Sequence, residues 1–343
     1  MRSRASVSCS PDRAIGGSRL SVSGLSLNAT TVDQPPITRV PVVFVVYNRL
    51  DTTARVFARI ADARPETLLI VADGPRAGQE EDSERCRAVR ELVSRPHWNC
   101  DVRLNCAPSN MGFNRRISSG LAWAFEQFEE VIVLEDDCLP EPSFFPFCVE
   151  LLERFRFDEN VMMITGDNFQ FGRKRGEGSY YFSQSVGTWG WAGWRRAFQH
   201  FDREMREWPA ERRNNMLSRV WPVPSLVEHW RARFDEAHRG EVDAWDYQWA
   251  FAMWRRMGLQ VAPGVNLIRY IGCRPDSAHT SDPQAPFCEV PTFPMRFPLV
   301  HPPVMQRDLT ADLFECYRVI LNEEDSVAEA HSTEAARLPG PPK

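Results

Sequence analysis

The chain lacks any uninterrupted apolar run of about 18 residues, which excludes a conventional membrane-spanning helix from the sequence. It also lacks a C-x-x-C pair. Its nine cysteines are odd in number, so neither a zinc site nor a full disulfide framework is indicated, and a reducing, cytoplasmic setting fits. Cys100 and Cys106 are close enough in sequence to pair, but spacing alone does not pair them. Basic charge is not in excess: 41 Lys and Arg stand against 46 Asp and Glu, for a formal net charge of −5. Without a strong basic field, nucleic acid is excluded as a partner.

The 343 residues suffice for one sizeable core, and 43% hydrophobic with 25% charged residues is ordinary for a globular protein. Residues 1–37 are rich in Ser and Arg and poor in apolar side chains. They read as a disordered leader, with a transit peptide as the alternative. Residues 322–343 are polar, end in Pro-Gly-Pro-Pro-Lys and read as a disordered tail, leaving 38–321 as a single domain.

Within that domain, apolar β-branched runs alternate with helical periodicity. Val40 to Tyr47, Thr67 to Ala72, Glu130 to Leu134 and Val161 to Thr165 are predicted strands. Thr52 to Ala63, Glu80 to Ser94 and Ile117 to Phe128 are predicted helices between them. Such alternation predicts an α/β fold with a mostly parallel sheet flanked by helices. Ligands of such sheets bind beyond the carboxyl ends of the strands. Asn48-Arg49, Asp73-Gly74 and Glu135-Asp136-Asp137 each follow a strand there. From about Gly172 to Met257 the chain becomes Trp-rich, with nine of eleven tryptophans between Trp189 and Trp254. This part is predicted to be helical and to pack on one end of the sheet.

Glu135-Asp136-Asp137 places three carboxylates directly after a buried run. They repel one another and call for a counter-charge, which a hard divalent cation, Mn2+ or Mg2+, supplies. A solvated acidic turn before the next helix is the plainer alternative. Alternation along a strand would put Glu135 and Asp137 on one face and Asp136 on the other.

The segment VIVLEDDCLPEPSFF (Val131 to Phe145) resembles the metal motif of GT-A glycosyltransferases, especially the N-acetylglucosaminyltransferase I-like group and its bacterial relatives. PVVFVVYNR (Pro41 to Arg49), VADGPR, SNMGFNRRISSGLAWAF (Ser109 to Phe125), GTWGWAGWRRAF, WDYQWAFAMW and DSAHTSD are similar to other elements of that family, in the same order, over roughly residues 40–285. The resemblance implies a GT-A-type sheet with a helical, Trp-rich C-terminal part. It implies a metal-dependent glycosyltransferase that moves a sugar from a nucleotide-diphosphate donor, with uridine favoured, to a hydroxyl-bearing acceptor such as a glycan, with inversion. The chain departs from the family in offering several acids where one obvious catalytic base is usual.

Carried onto these residues, the resemblance makes Asp137 and His279 metal ligands. Asn48, Arg49, Asp73, Asn110, Arg115, Arg116, Glu135, Asp136, Trp189 and Trp191 become donor-binding residues, with Asp73 meeting the base. Arg115 and Arg116 fall in the first turn of a helix that Asn114 is placed to cap. Cations there oppose the helix dipole unless an anion such as a diphosphate sits at the helix start; two solvent-facing arginines is the alternative. Asp246 is the candidate general base, with Asp243 as the N-cap of its helix; an ordinary first-turn acid is the alternative, and both roles are compatible. His279 is otherwise a loop residue. Trp189, Trp191 and Trp194, interleaved with glycines, read as a mobile lid or as a packed loop.

Three rival functions share parts of this pattern. A sugar-nucleotide pyrophosphorylase needs a Gly-rich loop after the first strand, where this chain has Tyr47-Asn48-Arg49-Leu50-Asp51. An Asp-nucleophile phosphatase needs a second Asp two residues before Asp73, and none is there. A non-catalytic carbohydrate-binding module on a degenerate transferase fold is the remaining alternative.

Overall fold

The structure, a computed structural model, describes residues 38–273, 285–288 and 290–321. Every element below lies in the unit Pro35–Lys343. In chain order the first half runs β1 (Val42–Val46), α1 (Leu50–Ala63), β2 (Thr67–Ala72), α2 (Glu80–Val93), β3 (Asp101–Cys106), α3 (Phe113–Gln127) and β4 (Glu130–Glu135). β1 pairs in parallel with β2 on one side and β4 on the other, and β2 pairs in parallel with β3. This β3-β2-β1-β4 half is Rossmann-like, and β1 and β2 are almost wholly buried, as their continuous apolar runs require.

The second half runs β5 (Cys138–Pro140), α4 (Phe144–Arg154), β6 (Val161–Thr165), β7 (Tyr180–Ser183), β8 (Trp191–Trp194), α5 (Arg195–Phe198), α6 (Trp208–Arg213), α7 (Leu217–Val220), α8 (Pro224–His238), α9 (Asp246–Arg255), β9 (Leu259–Pro263), β10 (Ile268–Tyr270) and α10 (Leu309–Glu315). The eight-stranded sheet has the order β3-β2-β1-β4-β8-β6-β9-β7, and β5 and β10 form a separate antiparallel pair.

The sheet is therefore mixed rather than mostly parallel. β8 is antiparallel to both β4 and β6, and β7 is antiparallel to β9. The Trp-rich segment does not stay at one end of the sheet, as its texture predicts. It supplies β8 to the sheet centre and β7 to an edge. The sequence hides β8 because Trp-Ala-Gly-Trp is four residues long and has no β-branched side chain. Its pairing is fixed instead by fit: Ala192 stands opposite Ile132 on one side and Ile164 on the other.

Side-chain alternation divides the core. Val42, Phe44, Leu68 and Ile70 pack on one face with α4, while Val43, Leu69 and Val71 pack on the other with α3. The second face carries Trp191, Trp208, Trp221, Trp230, Trp245, Trp249 and Trp254, all buried. Each such indole removes enough apolar surface to contribute up to about 5 kcal/mol of gross transfer free energy. Packing thus accounts for most of the tryptophans.

Cys273 and Cys288 form a disulfide, while Cys100 and Cys106 are both free. Disulfides are rare in cytosolic proteins, so this pair removes the cysteine argument for a cytoplasmic setting. Among the described residues no helix is long and apolar enough to cross a membrane.

Candidate active site

Because β1, β2, β4 and β6 run in one direction, the residues just after each meet along one edge of the sheet. Arg49, at the turn into α1, reaches across to the acidic turn after β4. Its Nη2 donates to Asp136 Oδ1 at 2.7 Å and to Asp137 Oδ2 at 2.8 Å. Asp136 and Asp137 are buried, whereas about a third of the Arg49 side chain, 33%, faces solvent. The backbone N–H of Tyr47 donates to the second oxygen of Asp136 at 3.2 Å. Ile271 donates its N–H to the Asp137 carbonyl at 2.8 Å, which docks the β10 strand on this turn. Gly272 follows, and a Cβ there would lie 2.5 Å from Asp137 Oδ2, so the close approach requires glycine.

The turn is short of positive charge. Burial, then the charges of Asp137, Asp136 and Asp246, push the Glu135 carboxyl well above the usual carboxylate range. Burial raises Asp136 to about 6 even though Arg49 opposes the shift. Asp246, the first residue of α9, is thereby placed in the same electrostatic neighbourhood as Glu135, although 111 positions separate them in the chain.

Asp246 arrives there through α3. The helix begins at Phe113 after Gly112, whose φ is +81°, and not at an Asn114 cap. Asp243 Oδ2 accepts the Phe113 N–H and Asp243 Oδ1 accepts the Asn114 N–H, both at 2.8 Å. Asn114 donates its side-chain amide to the Ala244 carbonyl at 2.5 Å. Asp243 is thus the anion at the start of α3 and not the N-cap of α9, which is Trp245. The place expected for a diphosphate at that helix start is held by this carboxylate.

The remaining expected donor residues are dispersed in role. Arg115 is exposed. Arg116 is buried and donates to the Asn105 carbonyl at 2.6 Å and to Asn105 Oδ1 at 2.9 Å, tying α3 to β3. Asp73 accepts the N–H groups of Gly74 and Met111 at 2.8 and 2.9 Å and the Asn110 amide at 2.9 Å, so Asp73 and Asn110 fasten two loops to each other. Trp189 is partly exposed, and its ring stacks on Tyr270 at 4.4 Å beside the acidic turn. Trp191 is 1% exposed and stacks on Trp245, a position closed to a ligand. His279 lies outside the described residues.

Two further acids organise the site. Asp82, in the first turn of α2, accepts Tyr47 Oη at 2.7 Å, the Arg76 N–H at 2.8 Å and the Asn48 side-chain amide. Burial alone would raise its carboxyl, but the donors from Arg76, Tyr47 and Asn48 outweigh it and hold Asp82 well below the carboxylate range. Helical spacing exposes this residue in the sequence: Asp82, Cys86, Val89 and Val93 form the buried stripe of α2. Asp167, just past β6, is buried; its Oδ2 accepts the Trp189 N–H at 3.1 Å and fixes that loop. The rule that singled out Asp73 and Glu135, an acid right after a buried run, also applies to Asp167.

Among the described residues no group of three or more His, Cys, Asp or Glu side chains is arranged to hold a metal ion. Two carboxylate oxygens, from Asp136 and Asp137, do converge on one cationic nitrogen. Ions such as Mg2+ are commonly held by one or two carboxylates, with phosphate oxygens and waters completing the shell. Asp136 and Asp137 are the residues whose oxygens such an ion would take here.

No protein-family model matches the chain, and no curated protein matches it by sequence. Solved structures similar to it include a mannosyltransferase from Pyrobaculum calidifontis in complex with GDP-mannose and Mn2+, at 15% identity and a TM-score of 0.31. That match covers 47% of this chain and 46% of the mannosyltransferase, so this chain spans about half the length of that relative. A UDP-glucose pyrophosphorylase in complex with UDP-glucose matches at 10% identity and a TM-score of 0.32, covering 65% of this chain and 90% of that one. Mouse xyloside xylosyltransferase 1 matches at 16% identity and a TM-score of 0.30, covering 62% and 81%. The resemblance is weak and extends to several nucleotide-sugar-handling enzymes without singling out a family.

Proposed function

We propose that the chain is a metal-dependent glycosyltransferase that moves a sugar from a nucleotide-diphosphate donor to an acceptor hydroxyl with inversion. The observation that carries this reading is the convergence of Asp136 and Asp137 on Arg49 at the carboxyl end of the sheet, with Asp246 near enough for its charge to raise the Glu135 carboxyl. A site with that much negative charge suits a cation and an acceptor proton. The resemblance of VIVLEDDCLPEPSFF to a GT-A metal motif supports the same reading, and uridine is the favoured base on that resemblance.

In this mechanism Asp136 and Asp137 would hold a divalent ion, which when bound would supply positive charge for the diphosphate leaving group. Arg49 adds a second positive charge against the same leaving group. Asp246 takes the proton of the acceptor hydroxyl as it attacks the anomeric carbon. Glu135, at the end of β4 beside these acids in the chain, is assigned a hydrogen bond to the donor. Trp189, stacked on Tyr270, offers an apolar wall for a sugar ring.

The test is donor turnover across a panel of nucleotide sugars with Mn2+ and with excess chelator, on the native chain and on Asp137→Asn. Turnover with metal, lost with chelator and in Asp137→Asn while the melting temperature is kept, is the expected result. Full turnover in chelator sinks the metal role. Binding of sugar with no donor turnover at all makes the chain a carbohydrate-binding module instead.

A further inference from the structure

We infer that Arg49 is a displaceable counter-cation: it holds the cation position between Asp136 and Asp137 in the free protein, and a divalent ion takes that position only together with a nucleoside diphosphate. This rests on the donor site proposed above.

The geometry is that of a point charge. A single nitrogen, Arg49 Nη2, touches one oxygen of each acid at 2.7 and 2.8 Å. Arginine paired for structure more often meets a carboxylate with two parallel N–H donors. Here one nitrogen stands where one ion would stand, so guanidinium and metal cannot occupy the position together. Two cations within about 3 Å would repel strongly in so buried a place.

The acids are held independently of the arginine. Asp136 is fixed by the Tyr47 N–H, and the Asp137 backbone by Ile271, so removing Arg49 does not free the turn to collapse. Arg49, by contrast, is the partly exposed member, on a long side chain. It can leave if something outside pays for its charge. A diphosphate does that: it accepts Arg49 through its oxygens and completes the metal shell at the same time.

The consequence is positive coupling between metal and nucleotide, which must be reciprocal. Couplings of this kind are typically about 5- to 150-fold in affinity. An anionic ligand that draws Arg49 away raises metal affinity, and deleting the guanidinium should do the same without any ligand.

Equilibrium dialysis with Mn2+ tests this, counting manganese in the protein chamber in excess of the buffer chamber, with and without UDP and, in parallel, GDP. The native chain is expected to bind Mn2+ weakly alone and about tenfold or more tightly with one of the nucleotides. Arg49→Met and Arg49→Gln, each checked for an unchanged melting temperature, are expected to bind Mn2+ at least about tenfold more tightly than the native chain without nucleotide, with a smaller gain on adding it. The inference falls if both folded variants bind Mn2+ alone no more tightly than the native chain, or if nucleotide leaves native Mn2+ affinity unchanged. No sugar needs to be transferred, so a failure here is distinct from a failure of the transferase reading, which donor turnover decides.

Discussion

The carboxylate of Asp243 accepts the backbone N–H of Phe113, 130 positions away, at 2.8 Å, and so closes the start of α3 with a charge from a different part of the chain. The same carboxylate takes the Asn114 N–H. This contact links the helix before the acidic strand to the segment that carries Asp246, and it sets where the proposed base stands.

Asp243→Ala removes two hydrogen bonds and the favourable charge at a helix N-terminus. Loss of such a cap costs about 1–2 kcal/mol, and for a domain of this size that lowers the melting temperature by roughly 2–4 °C. Asp243→Asn, which still accepts one amide, should lose less. Differential scanning calorimetry on both variants checks this. A melting temperature within about 1 °C of native for Asp243→Ala shows that the cap contributes little.

Asp246→Asn keeps the shape of the side chain and removes its basicity. General-base contributions are typically about 10²–10⁴-fold, so kcat should fall by that order while donor affinity stays near native. With the base opposite the leaving diphosphate, an α-linked donor should give a β-linked product, read by NMR of the anomeric proton. Retained configuration, or native turnover in Asp246→Asn, removes Asp246 from the role.

Glu315 provides a pH signature away from the site. Burial first, and the Asp312 charge as well, raise its carboxyl from 4.5 to about 7, against the Ser185 hydroxyl that donates to it. A raised carboxyl binds its proton more tightly in the folded state than in the unfolded one. Its contribution to stability is therefore complete below about pH 4.5 and is lost as pH rises through about 7. The gap corresponds to about 3 kcal/mol at most. Urea unfolding between pH 5 and 8 should show the native chain losing stability relative to Glu315→Gln as pH rises. A difference between the two that does not change with pH shows that Glu315 does not titrate in that window.

The sequence alone determined the parallel half of the sheet and the place of its acidic cluster. Strand alternation would set Asp136 and Asp137 on opposite faces, but the chain turns there instead, so that both reach Arg49. Val42 to Val46, Leu68 to Ala72 and Val131 to Leu134 are short continuous apolar runs rich in β-branched residues and bounded by polar ones, the pattern of a strand buried on both faces. The polar residues after them were legible because strand direction puts them all on one edge. Tertiary structure decided the rest. Trp191 to Trp194 became a central strand because Ala192 and Gly193 fit between β4 and β6, and short runs of mixed size carry no period. Arg49 found Asp136 and Asp137, and Asp243 found α3, across 87, 88 and 130 positions. Charge pairing at that range depends on where the chain returns in space, and local residue preference holds no information about that return.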